Sequence, residues 1–208
     1  METIYQDFKA GMDNIYNSFF ISFLALKPIV ERPILNDFII PIEGFNHRTL
    51  DASQLNKLGI DSINEYVNSI RRHMLNDIVI CYERYASLMY TSHNNGQQRT
   101  DPALVPNTHI NAAKFESLIK GLYTEDELIF FRQLRRIRNS IVHYNGVYTK
   151  TNLLDYTFGK NKYDSKGHEG ENISIELDTL IIIHKEVDKL VDEINKRYFD
   201  ITLSHNCK

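Results

Sequence analysis

The sequence has no tryptophan and only two cysteines, Cys81 and Cys207. The two thiols stand far apart and neither belongs to a CxxC pair, so nothing points to a zinc site or a disulfide framework. Thiols used this sparingly suit a reducing, cytoplasmic compartment. Excess charge of one sign is also missing: the formal net charge is −3. That balance argues against indiscriminate coating of nucleic acid and leaves room for a local basic patch. No apolar run is long enough to suggest a membrane span. The most apolar early stretch, residues 19–26, follows Glu2, Asp7 and Asp13 rather than a basic segment, so it reads as core helix and not as a signal peptide. No membrane partner is expected. Glycine-rich phosphate loops, serine-hydrolase elbows and zinc-ligand spacings are absent, so neither a metal nor a cofactor is expected.

What is present is globular in composition. Hydrophobic residues make up 42% and charged residues 25% of 208 positions, and eleven Phe with twelve Tyr can fill a core. One helical domain over residues 1–208 is the simplest organisation. Ile4, Phe8, Met12, Ile15, Phe19 and Phe23 recur at helical spacing and predict a first helix ending near Pro28. Pro28, Pro33 and Pro41 then interrupt an apolar stretch read as a short helix or an ordered loop. Asp61 is the candidate N-cap of a long helix whose stripe runs from Ile63 through Met74, Ile78, Tyr82 and Tyr85 to Met89. A polar loop is expected at 92–102 and a short helix at 109–120.

Thr124, followed by Glu125, Asp126 and Glu127, has the capping-box pattern and opens the next helix. Tyr144-Asn145-Gly146 closes it. Residues 147–172 are glycine-dotted and polar, a long loop. The alternation Ile173-Ser174-Ile175-Glu176-Leu177 predicts a short strand paired with the 153–158 region. Leu177, Leu180, Ile181, His184, Val187, Val191, Ile194 and Tyr198 mark the last helix.

The helix opened by Thr124 carries the chemistry. Its apolar stripe is Phe130, Phe131, Leu134, Ile137, Ile141 and Val142. Arg138 projects inside that stripe, where a guanidinium must be paired or line a cleft. Arg135 sits at the stripe's edge, whereas Arg132 and Arg136 face away as solvated charges. An Arg followed by His after four to six residues is a short pattern that chance supplies. Every such match here ends at His143, from Arg138 and from Arg136. The plain structural reading is that Arg138 pairs with a buried acid or caps carbonyls, with His143 favoured by the helix dipole.

The run Arg138-Asn139-Ser140-Ile141-Val142-His143, with the approach Leu134-Arg135-Arg136-Ile137, resembles the R-x4-6-H signature of the HEPN superfamily in its form with Asn after Arg. The likeness covers about residues 124–146. Tyr144 follows His143 directly, unlike the toxin form with Tyr two places on. The resemblance implies an all-α HEPN-like bundle with a long loop or small β-hairpin before the last helix. It also implies a homodimer through the motif helix and a metal-independent endoribonuclease of toxin, defence or stress type, with an antitoxin or partner protein. RNA would be cut by its own 2′-OH. His143 would move protons, Arg138 would bind phosphate and Asn139 would orient His143 or touch phosphate. Arg135, Tyr144 and Asn145 would contact substrate. The rival expectation is a silent HEPN domain acting as an RNA- or protein-binding adaptor. Arg138 and His143, five residues apart, point about 140° apart on an ideal helix. Either the helix ends before His143 or two protomers pool their motifs. His73 and His184 read as core or interface histidines, His184 also as a weak supporting candidate. Arg71 and Arg72 read as a solvated face, with contact to RNA the alternative.

Overall fold

The computed structural model describes residues 2–31, 39–41, 49–95 and 107–206. The expected element at 34–38, the polar stretch beyond Asn95 and Cys207 lie outside the described residues.

The first apolar stripe forms α1 (Glu2–Glu31), with Ile4, Phe8, Met12 and Phe19 buried along one face. It runs past Pro28 to Glu31, with the proline inside its last turn rather than at its end. Ile39–Pro41, expected as helix or loop, is instead a strand, β1, paired antiparallel with β2 (Thr49–Asp51). The next helix, α2 (Ala52–Asn95), begins well before Asp61, which is therefore an interior residue and not the N-cap. Ala52, Gln54, Leu55, Lys57 and Leu58 are strong helix formers and propagate the helix through Asp61.

α2 is the spine of the molecule. Met74, Leu75, Ile78, Val79, Tyr82, Tyr85, Ala86, Leu88 and Met89 are all buried, too many directions for a one-faced helix. It packs against α1, α3 (Thr108–Leu118), α4 (Glu125–His143) and α5 (Leu177–Asn206). Gly11 lets α1 approach: a Cβ there would stand 2.9 Å from Cys81 Sγ. Burial pushes the Cys81 thiol up to about 12, so it stays protonated near neutral pH. On α5, Leu180, Ile183, Val187, Val191, Ile194 and Tyr198 are buried at helical spacing, as the sequence pattern requires. Tyr5 donates a hydrogen bond to Asp192 (2.7 Å) and Lys9 pairs with Asp188 (2.5 Å), tying α1 to α5. The described fold is mostly helical, which agrees with the all-α class. No helix among the described residues is long and apolar enough to cross a membrane.

The segment between α4 and α5 corrects the strand pairing expected from sequence. Residues 155–158 form β3 (Asp155–Phe158), which pairs with β4 (Asn161–Asp164) and not with 173–177. The two-residue turn explains the choice: Gly159 adopts a φ of 61° at its first position, and such a loop closes a hairpin locally. Ile173 and Ile175 still alternate inward, both buried, in a segment outside any strand that is anchored by Ile173 N–H to Gly146 O (2.6 Å). Phe158 carries the hairpin onto α4 through Phe130, ring centroids 5.6 Å apart.

Both halves of the capping box form on α4. Glu127 N–H donates to Thr124 Oγ1 (3.3 Å) and Thr124 N–H donates to Glu127 Oε2 (2.7 Å). Glu127 is buried and also receives both terminal nitrogens of Arg197 on α5. One carboxylate therefore starts α4 and docks α5. Glu127→Ala is expected to cost about 2–4 kcal/mol, the lost cap plus a stranded guanidinium, against about 1 kcal/mol for Thr124→Ala. Urea unfolding of the two variants measures the difference; equal costs would show that the Arg197 contact contributes nothing.

Candidate functional site

Arg138 points inward, as its place in the apolar stripe requires, and meets a carboxylate. Its Nη2 donates to both oxygens of Glu83 on α2, each at 3.0 Å. The Glu83 side chain is 4% exposed and that of Arg138 15%, so this is an interior ion pair and not a surface one. Glu83 has further cationic company. Arg135 Nε lies 3.2 Å from its Oε1, within ion-pair range but not aligned as a hydrogen bond. His109 on α3 donates from Nδ1 to the same oxygen at 2.8 Å.

Arg135 is itself clasped by Glu116 on α3, with Nη1 to Oε2 at 3.1 Å and Nη2 to Oε1. Glu116 accepts from the Tyr82 hydroxyl at 2.6 Å, and Tyr82 stacks on Phe131 at 3.8 Å between centroids. Burial, with Tyr123 and Glu116 beside it, holds the Tyr82 phenol well above its ordinary range. Burial by itself would lower the Arg135 pKa; the Glu116 hydrogen bond together with the charges of Tyr82, Glu116 and Glu83 outweighs it and raises the pKa, so Arg135 stays charged. Two arginines and two glutamates thus balance inside a network that joins α2, α3 and α4. Arg135, expected at the substrate, is committed to this network and 9% exposed.

The outer face of α4 is different. α4 remains helical through His143, so the alternative in which it ends before His143 does not hold, and Arg138 and His143 diverge by about 140°. His143 is exposed and makes no hydrogen bond or ion pair among the described residues. Asn139, one turn back, shares its face and is half-buried. Arg136 and Arg132 continue that stripe. Arg136 is not simply solvated: it is half-buried and donates to Leu153 O at 2.8 Å. Tyr144 is 38% exposed. His184 bonds Met12 O at 3.0 Å and packs on Tyr16, so it serves the α1–α5 contact and not the motif helix. His73 is exposed, with Nδ1 donating to Ser69 O at 2.8 Å, so it is not a core residue.

The C-terminus of α4 is closed by two left-handed residues, Asn145 at φ 53° and Gly146 at φ 73°. Tyr144 N–H and Gly146 N–H both return to Ser140 O, at 3.1 and 2.9 Å. A Cβ on Gly146 would stand 2.8 Å from Arg72 Cζ and 2.9 Å from its Nε, so only glycine admits the Arg72 guanidinium here. Arg71 and Arg72, read as solvated, are both half-buried: Arg71 lies 3.8 Å from Glu176, and Arg72 is covered by the α4 turn. Asn152 Nδ2 adds bonds to Arg136 O and Ser140 Oγ, both 2.6 Å. Among the described residues no group of three or more His, Cys, Asp or Glu side chains is placed to hold a metal ion.

Sequence reasoning missed Glu83 and Glu116, and placed Arg72 on a solvated face although the Gly146 turn covers it. Glu83 left a signal: it stands in the run from Ile78 to Met89, where nearly every neighbour is apolar, opposite an arginine that needs an acid. Comparison with family models, curated proteins and solved structures finds no match.

Glu83→Gln is expected to destabilise the fold by about 3–5 kcal/mol, since it strands the Arg138 guanidinium and removes one of the two carboxylates beside Arg135. In a double-mutant cycle with Arg138→Met, the coupling should reach about 1–3 kcal/mol. Additive losses would show that the pair is not an energetic unit. Gly146→Ala should cost about 1–3 kcal/mol through its backbone angle and the Arg72 contact, read as a lower denaturation midpoint.

Proposed function

We propose that this chain is a HEPN-type domain that cleaves RNA without a metal ion, and that it works as a homodimer through α4. The supporting observation is His143. It is an exposed imidazole at the end of a well-anchored helix, with no structural partner among the described residues. A histidine that holds nothing in place is free for proton transfer.

The chemistry follows from these groups. Neutral His143 takes the proton of a ribose 2′-OH as that oxygen attacks the adjacent phosphorus. The P–O5′ bond breaks and the 5′-oxygen collects a proton from a second imidazolium, leaving a 2′,3′-cyclic phosphate. A second copy supplies that acid when two α4 helices meet. Arg138, fixed by Glu83 at the helix flank, offsets charge on the phosphate. Asn139 orients His143, Arg136 and Arg132 extend a cationic track along the same face, and Tyr144 stacks on a base. A cytoplasmic toxin or defence role, with an antitoxin or other partner protein, follows from the family likeness.

One observation favours a second reading, a silent adaptor: Arg138 is already engaged by Glu83. In that case the motif arginine is a packing element and the α4 face binds RNA or protein without reaction.

Purified protein should cut RNA in EDTA, leave cyclic phosphate ends and sediment as a dimer. His143→Ala should slow cutting by about 10²–10⁴-fold with an unchanged melting temperature. Cutting that survives this change, or that chelator abolishes, overturns the mechanism; RNA binding with no cleavage by the wild type favours the adaptor.

A further inference from the structure

A cavity of about 370 Å³ lies in the groove between α2 and α4, lined by Ser69, Arg72, His73, Asn76, Ile141, Val142 and Asn145. Ile141, Val142 and Asn145 follow Arg138 at spacings of three, four and seven residues, so the cavity continues the face of the motif helix on which Arg138 sits. No carboxylate is among the described residues that line it. In this it differs from the two cavities between α1 and α2, both of which include Asp77.

Arg72 is the group without an assigned partner. Its Nε is buried and makes no hydrogen bond, and no ion pair engages it among the described residues. The Gly146 Cβ position is nearly equidistant from Cζ, Nε and Nη1 of Arg72, at 2.8, 2.9 and 3.1 Å. The guanidinium therefore lies face-on beneath the turn, which covers its plane, and Arg72 lines the cavity. Arg72 is not needed to finish α4. Ser140 O already accepts from Tyr144 and Gly146, and Gly146 O from Ile173 N–H. A half-buried guanidinium with no ion-pair partner among the described residues, in a cavity that also offers Asn76, Asn145 and Ser69, is suited to a tetrahedral oxyanion.

We infer that this cavity is a phosphate subsite, in which Arg72, with the side-chain amides of Asn76 and Asn145, holds a backbone phosphodiester of the RNA strand near the motif. The identity of that strand rests on the ribonuclease reading; the anion site itself does not. His73 borders the same cavity with Nδ1 committed to Ser69 O, so its Nε2 is the nitrogen available there.

The test uses the full chain and two probes, inorganic phosphate in a thermal-shift assay and a labelled, uncleavable 2′-O-methyl oligoribonucleotide in a binding titration. The variants are Arg72→Gln and Asn76→Asp, the second placing a negative charge in the cavity without touching the Gly146 turn. Wild type should be stabilised by phosphate and bind the oligonucleotide. Each variant should lose the phosphate response and bind about tenfold more weakly, and Arg72→Gln should reduce the salt slope by about one. Oligonucleotide affinity unchanged in both variants overturns the subsite and leaves the ribonuclease reading intact. A phosphate response that both variants lose, with no oligonucleotide binding by wild type, keeps the anion site and overturns RNA as its ligand. If Arg72→Gln fails to fold, Asn76→Asp decides alone.

Discussion

A single buried carboxylate, Glu83, sets the conditions for everything around it. Alone in the interior it would be costly to ionise. With Arg138, Arg135 and His109 gathered on it, it fixes the register of α4 and α3 against α2. Apolar packing would tolerate a helix sliding or turning a little; charge partners would not, because a displaced guanidinium loses its counter-ion and gains no water. The balance of two glutamates and two arginines makes the network neutral, and Tyr82 and Tyr123 extend it into the aromatic core.

This arrangement divides α4 into two working faces. The inner one is spent on architecture: Phe131, Leu134 and Ile137 are buried and Arg135 and Arg138 are paired. The outer one carries Arg132, Arg136, Asn139 and His143, only one of which, Arg136, has a bond to the rest of the chain in the described structure. In the proposed reaction the two faces cooperate across a dimer. Within one chain, Arg138 and His143 point apart. The proposed phosphate subsite lies at the seam between the faces, where α4 ends and Arg72 emerges from beneath Gly146.

Much of this was legible in the sequence where a local rule applies. The Thr124–Glu127 box, the stripes of α1 and α5, the stop at Asn145-Gly146 and the inward direction of Arg138 all follow from periodicity or capping chemistry. The failures arose where a second segment decides. Asp61 is a good cap by type, but the helix formers before it carry α2 through. The alternation at 173–177 is real, yet the Gly159 turn gives residues 155–158 a nearer partner. Arg72 looked like surface charge because nothing in its own helix reveals that a left-handed turn from α4 covers it. The candidate site could be named from its motif; the counter-ions of its arginines, contributed by α2 and α3, could not.

The ends of α4 carry a consequence for motion. At its start Glu127 is gripped by Arg197 of α5, and at its finish Gly146 is bonded to Ile173 and laid over Arg72. A rod pinned at both tips and keyed in the middle has no soft rigid-body coordinate. It can neither piston along its axis nor roll without breaking contacts at three separate stations. A regulator that acted by shifting this helix would therefore have to work against the stability of the whole fold.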